Sequence, residues 1–195
     1  VTKVLTTANQ LTLLRMLLIP ALVILLLYDY TGWALATFVL AGVTDGLDGW
    51  FARRGQKTAL GMWLDPMADK LLLVTTFVVL TLPGIGLLNR IPIWLTILVI
   101  SRDVVIVVTV AIVNIAVGRR QFRPSVYGKI STAVYILTCV TVMFFNYIDR
   151  TSVVVNVAVY ATLAVTLVSG IHYIAHAARI INAPAPGAAP GKARI

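Results

Sequence analysis

The apolar runs of this chain leave few folds open. Mostly apolar stretches fill residues 11–28, 33–51, 60–82, 91–117, 125–145 and 153–178, with short polar turns between them. A run of about 18 residues or more with few charges reads as a transmembrane helix. Within lipid only helices and closed barrels satisfy their own backbone. The expected fold class is therefore all-α: a polytopic membrane protein with six transmembrane helices. Residues 91–117 are long enough to tilt. At 59% hydrophobic residues, the chain is too apolar for an ordinary soluble core. The first run continues past Leu27 without a small-residue cleavage site, so it reads as a span and not as a cleavable signal peptide. The length suits one domain. Residues 1–182 form the membrane domain, and the Pro/Gly/Ala-rich 183–195 a disordered tail.

Six crossings place both termini on one side. The termini and even-numbered loops hold Lys3, Arg53, Arg54, Lys57, Arg119, Arg120, Arg123, Arg179, Lys192 and Arg194, whereas the odd-numbered loops hold Arg90 and Arg150. Ten basic residues against two give cytoplasmic termini by the positive-inside rule. The net charge of +9 suits anionic headgroups and an anionic substrate. With the spans present, nucleic acid is the poorer partner.

Against this background the acids stand out. All seven are Asp, and four of them, Asp45, Asp48, Asp65 and Asp69, fall within residues 44–70, TDGLDGWFARRGQKTALGMWLDPMADK. Ionisable groups in a membrane span are by default functional. Asp45 and Asp48 are i,i+3 and Asp65 and Asp69 are i,i+4, so each pair shares a helix face. The polar run 53–58 reads as a turn that brings the pairs together. Four carboxylates at close range cannot all stay ionised without cations. Ligands that are all oxygen, with no His or Cys nearby, point to a hard ion, Mg²⁺ or Mn²⁺, of the kind that joins carboxylates to substrate phosphates. Gly49, Ala52 and Gly61 leave room for a ligand, and Arg53 has the planar fork that suits a phosphate. A pore or ion-coupled transporter explains the carboxylates but not these four positions.

Other charges are secondary candidates. Arg15 either snorkels to the headgroups or serves the site. Arg102 and Asp103 lie deep in the fourth run; neighbours on a helix do not face each other, so each is expected to have another partner. For Arg102 that partner is a substrate phosphate, a motif aspartate or a structural ion pair. Arg119 and Arg120 read as a positive-inside anchor, while Arg123 and Lys129 lie nearer the cavity. His172 and His176 have i,i+4 spacing but no acidic neighbour, which favours interfacial packing. Cys139 is the single cysteine, so no intramolecular disulfide forms.

The string Asp-x-x-Asp-Gly-x-x-Ala-Arg, seven residues, Gly-x-x-x-Asp-x-x-x-Asp, running from Asp45 to Asp69, resembles the signature of the CDP-alcohol phosphotransferase family. Residues 9–15, Ser101-Arg-Asp103 and the segment from Arg123 to Thr132 extend the resemblance over most of the chain. It implies a six-helix membrane enzyme, commonly a homodimer, that displaces CMP from a CDP-linked donor with an alcohol. It implies two divalent ions on Asp45, Asp48, Asp65 and Asp69, with Asp69 as general base. Gly49, Ala52, Arg53 and Gly61 would surround the nucleotide and its pyrophosphate. A site open to lipid makes CDP-diacylglycerol the expected donor. The basic set Arg102, Arg119, Arg120, Arg123 and Lys129 favours an acceptor bearing phosphate: glycerol 3-phosphate, as in phosphatidylglycerophosphate synthases, or phosphatidylglycerol, as in CDP-alcohol-type cardiolipin synthases. Ser101-Arg-Asp103 and Arg123-Pro-Ser look more like the second branch. Phosphatidylinositol-phosphate and phosphatidylserine synthesis fit less well.

Overall fold

A computed structural model describes residues 7–53, 61–117 and 126–181; within these, the side chains at 7–9, 45–53, 61–66, 112–117, 176–177 and 179–181 are not described. The loop with Arg119, Arg120 and Arg123 and the tail at 183–195 lie outside the described residues. Among those residues there are six helices and no strand: α1 Thr7–Leu27, α2 Thr31–Arg53, α3 Gly61–Thr81, α4 Ile93–Val117, α5 Val126–Tyr147 and α6 Val153–Ile181.

Six helices therefore stand where six were expected, but they are not six equal spans. Among the described residues, four have the length and apolarity to cross a membrane: Gln10–Leu27, Ile93–Ala111, Val126–Tyr147 and Val153–Ala175. α2 offers a shorter apolar segment, Thr31–Thr44. The polar motif occupies the last third of α2 and the first third of α3, where most side chains lie outside those described.

α1 packs against both α2 and α3; α5 packs against α2, α3 and α6; and α4 lies on α6 and α3. The shared core is Leu22, Leu26, Phe38, Phe77, Leu80, Leu95, Val142 and Met143. Large apolar residues also cover the outside, Leu17, Val107, Val157 and Ile171 among them. So much exposed apolar surface marks a face meant for another phase, here the bilayer. Inside, small hydroxyls join the helices. Thr81 and Thr96 link α3 to α4 at 2.6 Å, and Thr138–Thr162 at 2.7 Å and Tyr135–Thr166 at 2.8 Å link α5 to α6. Such bonds glue helices where the surrounding hydrocarbon gives no hydrophobic drive to associate.

Two acids outside the motif act as helix stops. Asp29 and Asp149 have φ of 63° and 49°, the left-handed region where Asp is tolerated better than most residues. After α1, the Asp29 N–H donates to the Leu26 carbonyl at 3.2 Å and Tyr30 N–H to Leu25 at 2.8 Å. After α5, Asp149 N–H donates to Asn146 at 3.2 Å and Arg150 N–H to Phe145 at 3.0 Å. Both are Schellman motifs with Asp at the position usually given to glycine. Asp149→Val should lower the unfolding midpoint in detergent, through strain of about 1–2 kcal/mol, whereas Asp149→Gly should leave it equal or higher.

Candidate active site at the aspartate helices

α2 carries Asp45 and Asp48 in its last turns and α3 carries Asp65 and Asp69 in its first, and both helices pack on α1. The two pairs thus flank the segment 54–60, on neighbours of one common helix. Asp69 is the motif acid whose side chain is described. It is 39% exposed, and its Oδ1 accepts a hydrogen bond from Arg15 Nη1 at 2.5 Å. Arg15, on α1, is wholly buried. Its side chain therefore turns inward to the motif and does not reach the headgroups.

The next residue is tied the other way. Lys70 Nζ donates to Asp103 Oδ2 on α4. Asp103 Oδ1 also accepts from Arg102 Nη1 at 2.7 Å, and Arg102 Nη2 donates to Ser169 Oγ on α6. Successive helix residues point about 100° apart at 3.6 residues per turn, so Asp69 and Lys70 can bind opposite neighbours. The end of the motif is braced by α1 on one side and, through Asp103 and Arg102, by α4 and α6 on the other. A membrane interior favours this pairing, because charges there are costly unless they meet each other.

The expectation for Arg102 and Asp103 is corrected in part. They do contact each other, because the long arginine side chain reaches back to its neighbour, and each also has a second partner. Arg102 engages Asp103 and Ser169, not a motif aspartate among the described residues. Lys70 and Ser169 were not anticipated. The signal for Lys70 was present: a lysine beside the motif, in a chain with seven acids, needs one of them. Ser169 carried none.

The remaining candidates are more scattered. Lys129 is exposed on the second turn of α5. His172 lies against Tyr127, ring centroids 4.3 Å apart, while the His176 side chain is among those not described. Cys139 is a fully buried free thiol. Among the described residues no group of three or more candidate metal ligands gathers; the side chains of Asp45, Asp48 and Asp65 are not in that set. Gly49, Ala52 and Arg53 end α2 and Gly61 begins α3.

The sequence profile of CDP-alcohol phosphatidyltransferases matches residues 5–171. The chain belongs to this family. Membership makes it a phosphatidyl-transferring enzyme of membrane glycerophospholipid biosynthesis, in a family that generally uses a divalent metal. A probable phosphatidylglycerophosphate synthase of Mycobacterium tuberculosis is 30% identical over 90% of this chain and 83% of its own length. A cardiolipin synthase (CMP-forming) of Rattus norvegicus is 35% identical over 74% of this chain and 53% of its own. The Streptomyces coelicolor cardiolipin synthase (CMP-forming) is 38% identical over 57% and 53% respectively. The relatives thus divide between the two branches suggested by the sequence.

Proposed function

We propose that this enzyme transfers the phosphatidyl group of CDP-diacylglycerol to glycerol 3-phosphate or phosphatidylglycerol and releases CMP. The observation that carries this reading is Asp69: a half-exposed carboxylate, fixed by a buried arginine, at the end of the family motif. Asp69 takes the proton from the acceptor hydroxyl. The hydroxyl oxygen then forms a bond to the phosphorus that carries the diacylglycerol, and the bond from that phosphorus to the CMP oxygen breaks.

Asp45, Asp48, Asp65 and Asp69 would hold Mg²⁺ or Mn²⁺, two ions as the resemblance implies. The donor set fits a hard cation, being all carboxylate on two helices braced by α1, and Asp69 stays reachable while paired with Arg15. When bound, such an ion neutralises the charge of the donor diphosphate. Gly49, Ala52, Arg53 and Gly61 make room for the nucleotide and hold its pyrophosphate. Arg119, Arg120, Arg123 and Lys129 draw the acceptor phosphate, whereas Arg102 is already engaged within the bundle. α2 and α3 complete six crossings, with termini and site on the cytoplasmic side, which supplies CDP-linked substrates. A homodimer agrees with the family.

Purified enzyme with CDP-diacylglycerol, Mg²⁺ and each acceptor in turn should release CMP and form a new lipid, whose mass identifies the acceptor used. Release of no CMP with either acceptor would refute phosphatidyl transfer by this chain.

A further inference from the structure

Asp103 is an acid inside a helix of membrane-crossing length and apolarity, Ile93–Ala111. An ionisable group there is costly and by default serves a function. It is 15% exposed and holds two cations, Arg102 on its own helix and Lys70 on α3. The second partner of Arg102, Ser169, is neutral. Among the described residues Asp103 is therefore the acid that balances both charges. The direction taken by Lys70 is informative. Lys70 follows Asp69 directly in the motif, yet its ammonium goes to Asp103 on α4. Pairing with a neighbour is open to a long side chain, as Arg102 and Asp103 show at 2.7 Å. Burial does not force the choice either, because the Lys70 side chain is 53% exposed and water reaches it. Asp69 meanwhile takes its cation from Arg15, on another helix.

We propose that Asp103 is a positioning residue for the cation site: it draws the Lys70 charge to α4 and so leaves the motif carboxylates their negative charge for a divalent ion. This rests on the reading of Asp45, Asp48, Asp65 and Asp69 as that site. The basis is charge. Lys70 and Arg102 against Asp103 leave +1. Without Asp103 the trio carries +2, and Lys70 is released beside Asp69, neighbouring Cα atoms being about 3.8 Å apart. A carboxylate already paired with Arg15 would then meet a second cation, which competes with a metal for the same oxygens. Arg102 and Asp103, at 10% and 15% exposure, are poorly screened, so a change of one charge among them is felt next door more than on an open surface. A mechanical brace between α3 and α4 would need the ion pair itself, whatever its summed charge.

Three variants separate charge from bracing: Asp103→Asn, Lys70→Met and the two combined. Asparagine keeps the shape of Asp103 and loses its charge, and the half-exposed Lys70 is replaced with little risk to folding. Each protein is checked for a folded, monodisperse state in detergent. Mn²⁺ is then titrated in, with free ion followed by electron paramagnetic resonance. Affinity should follow the summed charge of the trio. Asp103→Asn should weaken Mn²⁺ binding about 10–100-fold, the usual cost of losing an outer partner of a metal site. Lys70→Met should tighten it about 3–10-fold by removing a nearby like charge. The double variant restores the wild-type sum and should bind within about 3-fold of wild type. A brace predicts instead that Lys70→Met weakens binding as Asp103→Asn does, and that the double variant is no better than either; that result overturns the proposal. Wild-type affinity in Asp103→Asn also overturns it. If Asp103→Asn does not fold, Lys70→Met decides: tighter binding supports the proposal, and equal or weaker binding overturns it. Wild type that takes up no Mn²⁺ would instead defeat the cation-site reading beneath it.

Discussion

Replacing Asp69 by Asn should reduce CMP release by about 10²–10⁴-fold, the usual contribution of a positioned general base. Asparagine keeps the shape and can still accept a hydrogen bond from Arg15 through its amide oxygen. It cannot take up the acceptor proton or lend a negative charge to a cation. The fall should therefore be in kcat, with the protein still folded and still monodisperse in detergent. A transporter or scaffold built on the same helices predicts no such loss. CMP release by Asp69→Asn at the wild-type rate would remove Asp69 from the chemistry.

The second large effect belongs to Arg15. It is completely buried and binds Asp69 at 2.5 Å. Removing one member of a buried pair leaves the other charge poorly compensated, which costs more than the pair itself contributes. Arg15→Ala should thus lower activity by about 10–100-fold, the loss expected for a hydrogen bond to a charged group worth about 1.5–3 kcal/mol, and lower the unfolding midpoint as well. Arg15→Lys should recover much of the stability but less of the rate, because a single ammonium restores the charge and not the planar fork that aims the carboxylate. Equal activity in Arg15→Ala and wild type would reduce Arg15 to a structural partner of the motif, with no part in aiming Asp69.

These two residues show where the sequence was legible. Apolar runs near helical span length located all six helices to within a few residues, because hydrocarbon admits little else. Asp45, Asp48, Asp65 and Asp69 announced themselves by their cost in such surroundings. What could not be read was partnership across helices. Nothing in the spacing says that Arg15, on the first helix, meets Asp69 on the third, 54 positions away. The same holds for the link from Lys70 through Asp103 to Ser169, which depends on how α4 leans on α3 and α6. The neighbour rule for helices suggested that Arg102 and Asp103 would look apart; it describes Cβ directions and does not limit a side chain as long as arginine. Asp29 and Asp149 fall in the short polar turns between apolar runs, and their left-handed φ gives those turns a physical cause.

The claim on which the rest depends is that the four motif aspartates act together on a divalent cation. Mn²⁺ titrated into the purified enzyme, with free ion followed by electron paramagnetic resonance, tests this without reference to turnover. Wild type should take up Mn²⁺ saturably, and Asp45→Asn and Asp65→Asn, on different helices, should each weaken that uptake while the protein remains folded. Uptake by both variants indistinguishable from wild type would contradict a shared site.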